Sequence, residues 1–439
     1  MSDAVLNESE NLPVKSRFQI LWSRAFRVLT PPGVRLSGAG VQFLSTVLIA
    51  RQLGDEGSAL FFFWSAVLTS FAPVATYGLE QLALRNAPRL DSHETLPKLQ
   101  SHLSHLRWVS LLLAVTIGIG LIGYAFLRSE SLAFSSWHLL LPVALASMSL
   151  AVINGEALKG LSRPVAGIAF GHFIPVTLFC LLIAVNLPRL SSPLLILLYT
   201  VAYVAGVVLL RLGPIRFFRT KSFSSPSRQE RHEILREGFP IFCTNSLGAL
   251  SYIVPLMLLD MLRPPEEVAY VTTSFRISIL FAILAIAIQS VFAPQLSRAT
   301  AISGNGKKIA KIYLRITGIT LLTLVIPYAI GIAFPTRVMS IFGENFIAGA
   351  PTLRLLLATG FFALCFGPIH QLLLMMGKTT WMARLGVLKL SLVTILAILL
   401  IPRFGGIGMV IAMAGAFTVE EVTGLVLAWR HLRNPRTNS

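Results

Sequence analysis

The sequence predicts an all-α polytopic membrane protein with about twelve transmembrane helices in two six-helix lobes, and three observations support this fold class. Of its 439 residues, 54% are hydrophobic and 13% are charged, and the mean hydropathy is +0.73. The apolar residues fall in blocks of about 20, enough for a helix to cross a hydrocarbon core of about 30 Å. Basic residues concentrate in alternate connections between these blocks. This composition excludes an ordinary soluble enzyme and a disordered protein.

Each apolar block is taken as one span. The expected spans are 34–51, 57–79, 107–127, 136–157, 164–186, 193–211, 239–260, 268–292, 312–335, 350–376, 380–402 and 405–429. The longest internal polar stretch follows the sixth span, and its sequence SFSSPS is typical of a loop. The chain is therefore expected to divide into a basic, interfacial segment 1–33, an N-lobe 34–211, a basic linker 212–237, a C-lobe 238–430 and a tail 431–439.

The basic residues also predict the orientation. Of the 37 lysines and arginines, 28 lie on one side of the twelve-span arrangement, six on the other and three within spans. Basic residues gather in cytoplasmic loops, so both termini are expected to be cytoplasmic. The same bias explains the net charge of +18, and no nucleic-acid partner is expected.

Motifs for enzyme chemistry and metal binding are missing from the sequence. The three cysteines, Cys180, Cys243 and Cys365, lie in apolar stretches without CxxC or Cys/His spacing, which predicts neither disulfides nor a metal site. The sequence has no Walker A, GxSxG or HExxH motif. We therefore expect that the protein is not an enzyme and that it binds no cofactor.

Arg276 is the strongest candidate for a functional residue. It lies in the eighth span, roughly 12 Å from the outer end, with Thr272 and Thr273 one turn away. An ionisable residue inside a membrane is costly and marks a functional site by default. Arginine keeps its charge and binds anions in bidentate fashion, which predicts contact with an acidic substrate. The alternative is a buried salt bridge to an acid such as Asp260.

A second group of ionisable residues lies in the last two spans. Lys389 is in the eleventh span, and Glu420 and Glu421 are in the twelfth at equal expected depth. One interpretation is an intramembrane ion pair, and the other is a proton or cation relay.

The two halves of the sequence share a weak repeat. Arg51 corresponds to Asp260, 209 residues on, and Ala59-Leu60 corresponds to Ala269-Tyr270, 210 residues on. Six spans per repeat predict a parallel pseudo-two-fold repeat about an axis along the membrane normal. A binding site would then lie between the lobes and would be exposed alternately to either side.

Several residues occur in an order that resembles a known family. These are Arg51-x-Leu53-Gly54 with Gly57 and Phe61, then Gly238-x-Pro240, Asp260, Tyr270 and Pro294, then Phe342-Gly343 and Gly405-Gly406-x-Gly408. Their order is similar to that of the Wzx-like polysaccharide and O-antigen flippases, which move lipid-linked oligosaccharides. This family belongs to the multidrug/oligosaccharidyl-lipid/polysaccharide (MOP) exporter superfamily. The resemblance runs from about residue 33 to residue 430.

The resemblance implies a MATE-like fold in a bacterial inner membrane. It also implies transfer of an undecaprenyl-pyrophosphate-linked repeat unit from the cytoplasmic to the periplasmic leaflet, for O-antigen, capsule or exopolysaccharide. Its partners would be the lipid-linked oligosaccharide, the bilayer, and a polysaccharide polymerase with a chain-length regulator. Because spans one, two, seven and eight line the cavity in this superfamily, Gln42, Asn245, Tyr252, Thr272, Thr273 and Gln289 become candidate substrate contacts beside Arg276. Hydrogen bonds between helices are the alternative for the uncharged ones.

Two other functions compete with the flippase. A MATE-type multidrug exporter for cations would need a buried acid in the first lobe, where Glu80 is the one acid of the first two spans and lies at an end. The deep charge of Arg276 instead favours an anionic substrate. A membrane-embedded polymerase or ligase would need a large outer loop, and the predicted outer loops are short.

Overall fold

The computed structural model of this chain describes residues 14–87, 96–128, 135–212, 228–302, 306–376 and 378–433. Within these ranges the regular structure is helical and contains no strand. Its long helices contain apolar stretches of at least 18 residues, as expected for a chain that crosses a membrane.

The first half of the molecule comprises the described residues from 14 to 212. Its helices are Val14–Ala75, Leu79–Asn86, Leu96–Arg128, Leu140–Gly160, Pro164–Ile168, Ile174–Asn186 and Ser192–Leu212, with a π-helix at Ala169–Phe173 and 3-10 turns at Ser136–Leu139 and Leu187–Arg189.

The second half comprises the described residues from 228 to 433. Its helices are Arg228–Leu262, Pro265–Ile302, Gly306–Ala333, Pro335–Ser340, Ala350–Leu364, Ile369–Met375 and Thr379–Arg433, with a 3-10 turn at Glu344–Gly349.

Ten helical segments of the described chain are long and apolar enough to span a membrane, and two of them are double. The segment Gly33–Ala75 has 43 residues and Thr380–Leu432 has 53. Each would extend for about 65 Å or more as a straight helix, twice the thickness of the hydrocarbon core. Each also contains one non-helical glycine, Gly54 (φ 71°) or Gly405 (φ 57°), at which the chain turns back. The structure therefore confirms the twelve predicted spans.

An even number of spans places both ends of the described chain on one side, here called the terminal side. Close packing on this side brings Gly160 against Leu84 and Gly306 against Leu432. The turns between spans one and two and between spans eleven and twelve lie on the other side, here called the opposite side.

The structure corrects three expected boundaries. The first span is the end of a helix that begins at Val14, inside the segment 1–33, and runs through Pro31 and Pro32. The seventh span begins as a helix at Arg228, inside the stretch that was predicted to be a loop. The rest of that stretch, 213–227, lies outside the described residues.

The third correction concerns the tenth span. The expected single helix 350–376 is broken into Ala350–Leu364 and Ile369–Met375. At the break Gly367 adopts φ 64° beside Thr317, and Pro368 has no N–H group to continue the helix. A hydropathy pattern alone does not show such a break because both pieces are apolar.

The core of the first half is rich in aromatic side chains. Phe61 of the second span, Phe179 of the fifth and Tyr199 of the sixth pack together with ring centroids 5.1–5.8 Å apart. Aromatic pairs at these distances add packing energy beyond their buried area. The cluster forms one wall of the cavity described next.

Candidate functional site

Arg276 of the eighth span reaches across the interface between the two halves. Its Nη1 donates to Thr46 Oγ1 of the first span at 3.3 Å, and its Nη2 donates to Ser65 Oγ of the second span. Its Cζ atom lies 4.8 Å from the ring centroid of Phe62. The arginine is thus held by two hydroxyls and an aromatic face of the other half.

The guanidinium group borders a small cavity. Apart from Arg276, the cavity is lined by the first half alone, through Gln42, Ser45, Thr46, Ile49, Phe61, Ser65, Thr69, Val176, Phe179 and Tyr199. The volume of the cavity that the centres of water molecules can occupy is about 20 Å³. That volume accommodates about one or two waters. In this conformation the cavity is small, and polar groups line part of it.

The partners of Arg276 are neutral groups. No salt bridge joins it to a carboxylate in the described part of the chain, and the expected alternative partner is engaged elsewhere. Asp260 pairs with Arg128 of the third span and accepts a hydrogen bond from Tyr124 at 2.9 Å. A guanidinium has five N–H donors, and the hydroxyls that hold it here are weak partners compared with an anion. The arrangement can bind an anionic group.

Gln42 and Arg276 are the two predicted substrate contacts that the structure brings to the cavity. Thr272 donates to the Val268 carbonyl of its own helix at 2.7 Å, and Thr273 is fully buried in the helix packing. Neither lines the cavity in this conformation, and their role in substrate binding stays a prediction.

The other three predicted contacts, on the seventh and eighth spans, do not line the cavity. The ring of Tyr252 packs edge-on against Phe275, with 4.9 Å between the ring centroids. The side-chain amide of Asn245 donates a hydrogen bond to Glu80. Gln289 lies more than three turns beyond Arg276, toward the terminal side. The cavity is lined by residues of spans one, two, five and six together with Arg276. For these residues too, contact with substrate stays a prediction.

Sequence reasoning missed the hydroxyl groups of the cavity. Ser45 and Thr46 follow Gln42 by one helical turn, and Ser65 and Thr69 are one turn apart on the second span. Thr69 Oγ1 also lies 3.5 Å from the hydroxyl of Tyr199. The spacing of three or four residues was the available signal, since it places polar groups on one face of a helix.

The two halves also meet on the terminal side, along what we call the terminal seam. It consists of the turn at Tyr77 and Gly78 with the short helix Leu79–Asn86, packed against the seventh span. The ring of Tyr77 stacks on Phe242 at 4.8 Å, and Arg85 forms a salt bridge with Glu237.

A buried carboxylate lies within the terminal seam. Glu80 Oε1 accepts a hydrogen bond from the Asn245 side-chain amide at 3.0 Å, and its Oε2 lies 2.5 Å from Thr76 Oγ1. Burial raises the pKa of the Glu80 carboxyl above its ordinary value, and the hydrogen bonds with Thr76 and Asn245 only partly offset this.

Polar contacts also join the halves on the opposite side. In the turn between the first two spans, Asp55 accepts hydrogen bonds from the Tyr270 hydroxyl at 2.6 Å and from the Asn345 amide at 3.2 Å. Nearby, Arg51 donates to the carbonyl of Ile341 at 2.8 Å. Burial works against ionisation of Asp55, but these hydrogen bonds outweigh it and lower the pKa of the carboxyl.

The ionisable group of the last two spans contains an ion pair. Lys389 Nζ lies 3.0 Å from Glu420 Oε2 and 4.8 Å from the ring centroid of Phe417. His370 Nε2 lies 3.8 Å from Glu420 Oε1. The structure thus contains the ion pair that was one of the two interpretations, formed by Glu420 rather than by Glu421. A role in proton or cation relay stays a prediction.

The fold defines the class of protein. The chain is similar to a multidrug resistance MATE family transporter of the MOP superfamily in an inward-facing conformation, with 18% identity, TM-score 0.69, and coverage of 93% of this chain and 100% of the other. It is also similar to the lipid II flippase MurJ in an inward closed conformation, with 13% identity, TM-score 0.69, and coverage of 91% and 88%.

A third structural relative is a MOP superfamily transporter from Pyrococcus furiosus, described as having a binding pocket of reverse polarity. It has 15% identity and a TM-score of 0.65, and the match covers 93% of this chain and 96% of the other. This is therefore a multi-pass membrane protein with the fold of the MOP superfamily.

The family follows from the sequence. A family model described as "Polysaccharide biosynthesis protein" matches residues 33–300, which is more than half of the chain. The chain belongs to this polysaccharide biosynthesis family, in agreement with the resemblance given above. No curated protein matches it.

Proposed function

We propose that this protein is a flippase that moves an undecaprenyl-pyrophosphate-linked oligosaccharide repeat unit from the cytoplasmic to the periplasmic leaflet. The observation that carries the proposal is Arg276, which spans the interface between the halves and meets only neutral groups there. A pyrophosphate would supply the anionic partner that the described residues do not supply. Membership of the polysaccharide biosynthesis family and the fold shared with a lipid II flippase agree with this substrate class.

The charge of the site favours this function over export of cationic drugs. A guanidinium within the membrane-spanning part of the protein repels a cation more strongly than it would in water, because the surroundings screen charge poorly. The MATE-type multidrug exporter therefore remains the second candidate. It is supported by the shared fold, but the cavity does not carry the acid that it needs.

The contacts of Arg276 across the interface suggest how substrate binding is coupled to movement. When the halves separate, Arg276 loses its contacts with Thr46 and Ser65, and its charge is left without them. A pyrophosphate that enters the gap replaces these contacts with stronger, charge-assisted hydrogen bonds. Ligand binding would thereby stabilise the open conformation by its differential affinity for it, as alternating access requires.

The cellular setting is part of the same proposal. The terminal side faces the cytoplasm of a bacterial inner membrane, in line with 28 basic residues on that side against six on the other. The lipid tail of the substrate stays in the bilayer while the glycan passes between the halves. The product serves O-antigen, capsule or exopolysaccharide synthesis through a polymerase and a chain-length regulator. The protein carries its substrate intact and performs no catalysis.

The test is to measure lipid-linked repeat units and surface polysaccharide in cells that lack the gene. We expect repeat units to accumulate on the cytoplasmic leaflet and surface polymer to be lost. The parent gene should restore both, Arg276→Gln should restore neither, and Arg276→Lys should restore them partly, since lysine keeps the charge but loses the bidentate geometry. Arg354→Gln, which changes an exposed arginine of the tenth span, is the matched control and should behave as the parent.

Three outcomes would contradict the proposal. Normal export with Arg276→Gln at parental abundance would remove Arg276 from the site. Unchanged glycan pools with increased sensitivity to cationic drugs would indicate the exporter. Accumulation of single repeat units on the periplasmic leaflet would show that flipping is intact and would indicate a polymerase or ligase.

A further inference from the structure

Glu80 is a buried acid at the boundary between the two halves. Its residue is 6% exposed, and it lies in the terminal seam rather than within a span. No salt bridge joins it to a cation in the described chain. The polar groups that contact it are neutral, with Thr76 from the first half and Asn245 from the second. A carboxylate in such a place carries a large desolvation cost unless it takes up a proton.

The hydrogen-bond geometry around Thr76 indicates where that proton is. Thr76 Oγ1 lies 2.7 Å from the carbonyl oxygen of Pro73 and 2.5 Å from Glu80 Oε2. A threonine hydroxyl has one hydrogen to donate, and the Pro73 carbonyl can only accept. A separate hydrogen for each contact requires a second hydrogen, on the carboxyl group of Glu80. Glu80 then donates to Thr76 and accepts from Asn245, so that every group in the chain of contacts is satisfied.

We propose that Glu80 is a proton-binding site whose occupancy controls the terminal seam. With the proton bound, the neutral carboxyl group bridges the two halves and the seam stays closed. When the seam opens, Asn245 withdraws, water reaches the carboxylate, and the proton leaves to the terminal side. The charged form of Glu80 thus favours an open seam and the neutral form favours a closed one.

The charged groups around Glu80 agree with this assignment. The described ionisable residues on the terminal side of the elements packed against it include Arg85 of its own helix, His102, His105 and Arg107 of the third span, Glu156 and Lys159 of the fourth, and His232, Glu233, Arg236 and Glu237 of the seventh. Glu156 is paired with Lys159, and Arg85 is paired with Glu237. Glu156 also adds to the effect of burial in raising the pKa of Glu80.

The direction of the pH dependence follows from the raised pKa. An open, hydrated glutamate has a pKa of about 4.3. The closed seam binds the proton more tightly, so the closed form is favoured most below that value. As the pH rises through the raised pKa of the closed state, the ratio of closed to open seams falls, by at most about tenfold per pH unit.

The experiment measures the width of the seam in the full-length protein in lipid nanodiscs. Spin labels are attached at Arg163→Cys, in the turn before the fifth span, and at His232→Cys, at the start of the seventh helix, after replacement of the three native cysteines. Both positions are exposed. We expect the closed population to fall about threefold or more between pH 5 and pH 9. Glu80→Gln should keep the seam closed throughout, because a glutamine amide donates to Thr76 and accepts from Asn245 as the protonated acid does.

The matched control is Glu156→Gln, which removes the same charge on the same side. Glu156 pairs with Lys159 within one span and does not bridge the halves, so this variant should still open with rising pH. Its transition should move to slightly lower pH, because the charge of Glu156 contributes to the raised pKa of Glu80. Two results would overturn the proposal. One is a terminal seam in the parent protein whose width does not change with pH. The other is a seam in the Glu80→Gln variant that still opens as the pH rises. The measurement contains no glycan. A negative result would therefore contradict the proposed role of Glu80 but not the proposed substrate. Evidence against the proposed substrate would likewise not bear on the role of Glu80.

Discussion

Arg276 and Lys389 both place a cation in the membrane-spanning part of the molecule, and their surroundings differ. Lys389 is neutralised by Glu420 at 3.0 Å, so the pair carries no net charge. Arg276 meets two hydroxyls and an aromatic ring, and its charge remains available. Burying a charge is costly without a partner, which makes the first arrangement structural and the second suited to a ligand.

The ion pair leads to a prediction about stability. Glu420→Ala should reduce membrane abundance and the thermal transition strongly, because Lys389 would be left buried and unpaired, at a cost of about 3–5 kcal/mol. The exchange Lys389→Glu with Glu420→Lys should recover much of the loss, since it restores the pair in the reverse order. Abundance by immunoblot and thermal stability by size-exclusion chromatography provide the measurement.

Glu421→Gln serves as the comparison for this pair. Glu421 neighbours Glu420 but forms no salt bridge in the described chain, so its amide should leave abundance close to the parental level. If Glu420→Ala were as abundant and as heat-resistant as the parent, the pair would not be structural.

At the scale of elements, two glycines allow single long helices to become pairs of spans. Gly405 has φ 57° and ψ −133°, a conformation that residues with a side chain rarely adopt. Glu267 of the eighth span packs against the same turn, and its Oε2 accepts a hydrogen bond from the backbone N–H of Gly406 at 2.7 Å. The turn between the last two spans thus depends on backbone freedom and on a contact from another span.

We predict that Gly405→Ala destabilises the protein by about 1–3 kcal/mol from backbone strain, and by more because the new Cβ would overlap Glu267 Oε2. Gly415→Ala is the control in the same helix, since its Cβ would meet Leu396 at an ordinary 3.4 Å. The thermal transition of each variant in detergent measures the difference. Equal transitions for the two variants would refute the role of this turn.

At the scale of the whole molecule, polar contacts join the halves on both the opposite side and the terminal side. The contacts on the opposite side include Asp55, and those on the terminal side include Glu80. On the opposite side the lowered pKa of Asp55 favours its charged form, whereas on the terminal side the raised pKa of Glu80 favours its neutral form. The contact at Asp55 is present above the ordinary pKa of an aspartate and is lost only as the pH falls through its lowered pKa. The two sides should therefore respond differently to pH.

We predict that the opposite side keeps its spacing between pH 5 and pH 9 and opens when its hydrogen bond is removed. Tyr270→Phe should raise the open fraction by up to about tenfold, because a hydrogen bond to a charged group contributes about 1.5 kcal/mol. Spin labels at Ser191→Cys and Thr336→Cys, both exposed, would report the distance between the halves there.

Tyr328→Phe is a suitable control for this measurement. It also removes a tyrosine hydroxyl, but its ring packs against Phe281 and Phe361 within the second half. This variant should keep the parental distance. An unchanged distance with Tyr270→Phe, or a parental distance that varies over this pH range, would contradict the prediction.

Predictions from the sequence were most accurate for features that depend on the residues of a single helix. The twelve spans follow from local hydropathy, which each helix must satisfy against lipid by itself. Arg276 was recognisable because a charge in an apolar block is costly wherever the helix packs. The break at Gly367 escaped prediction because it depends on Thr317 and Tyr313 of a neighbouring helix, a contact that the apolar pattern does not show.

The sequence by itself determined the number of spans, the two halves, the family and the residue that most plainly carries charge into the membrane. These depend on composition and order, which act over a few turns of helix. Only the tertiary structure decided that Arg276 reaches Thr46 and Ser65 of the other half, that Asp260 pairs with Arg128, and that Glu80 lies buried between the halves. The reason is that these contacts join residues more than 130 positions apart, and their geometry depends on how twelve helices pack together.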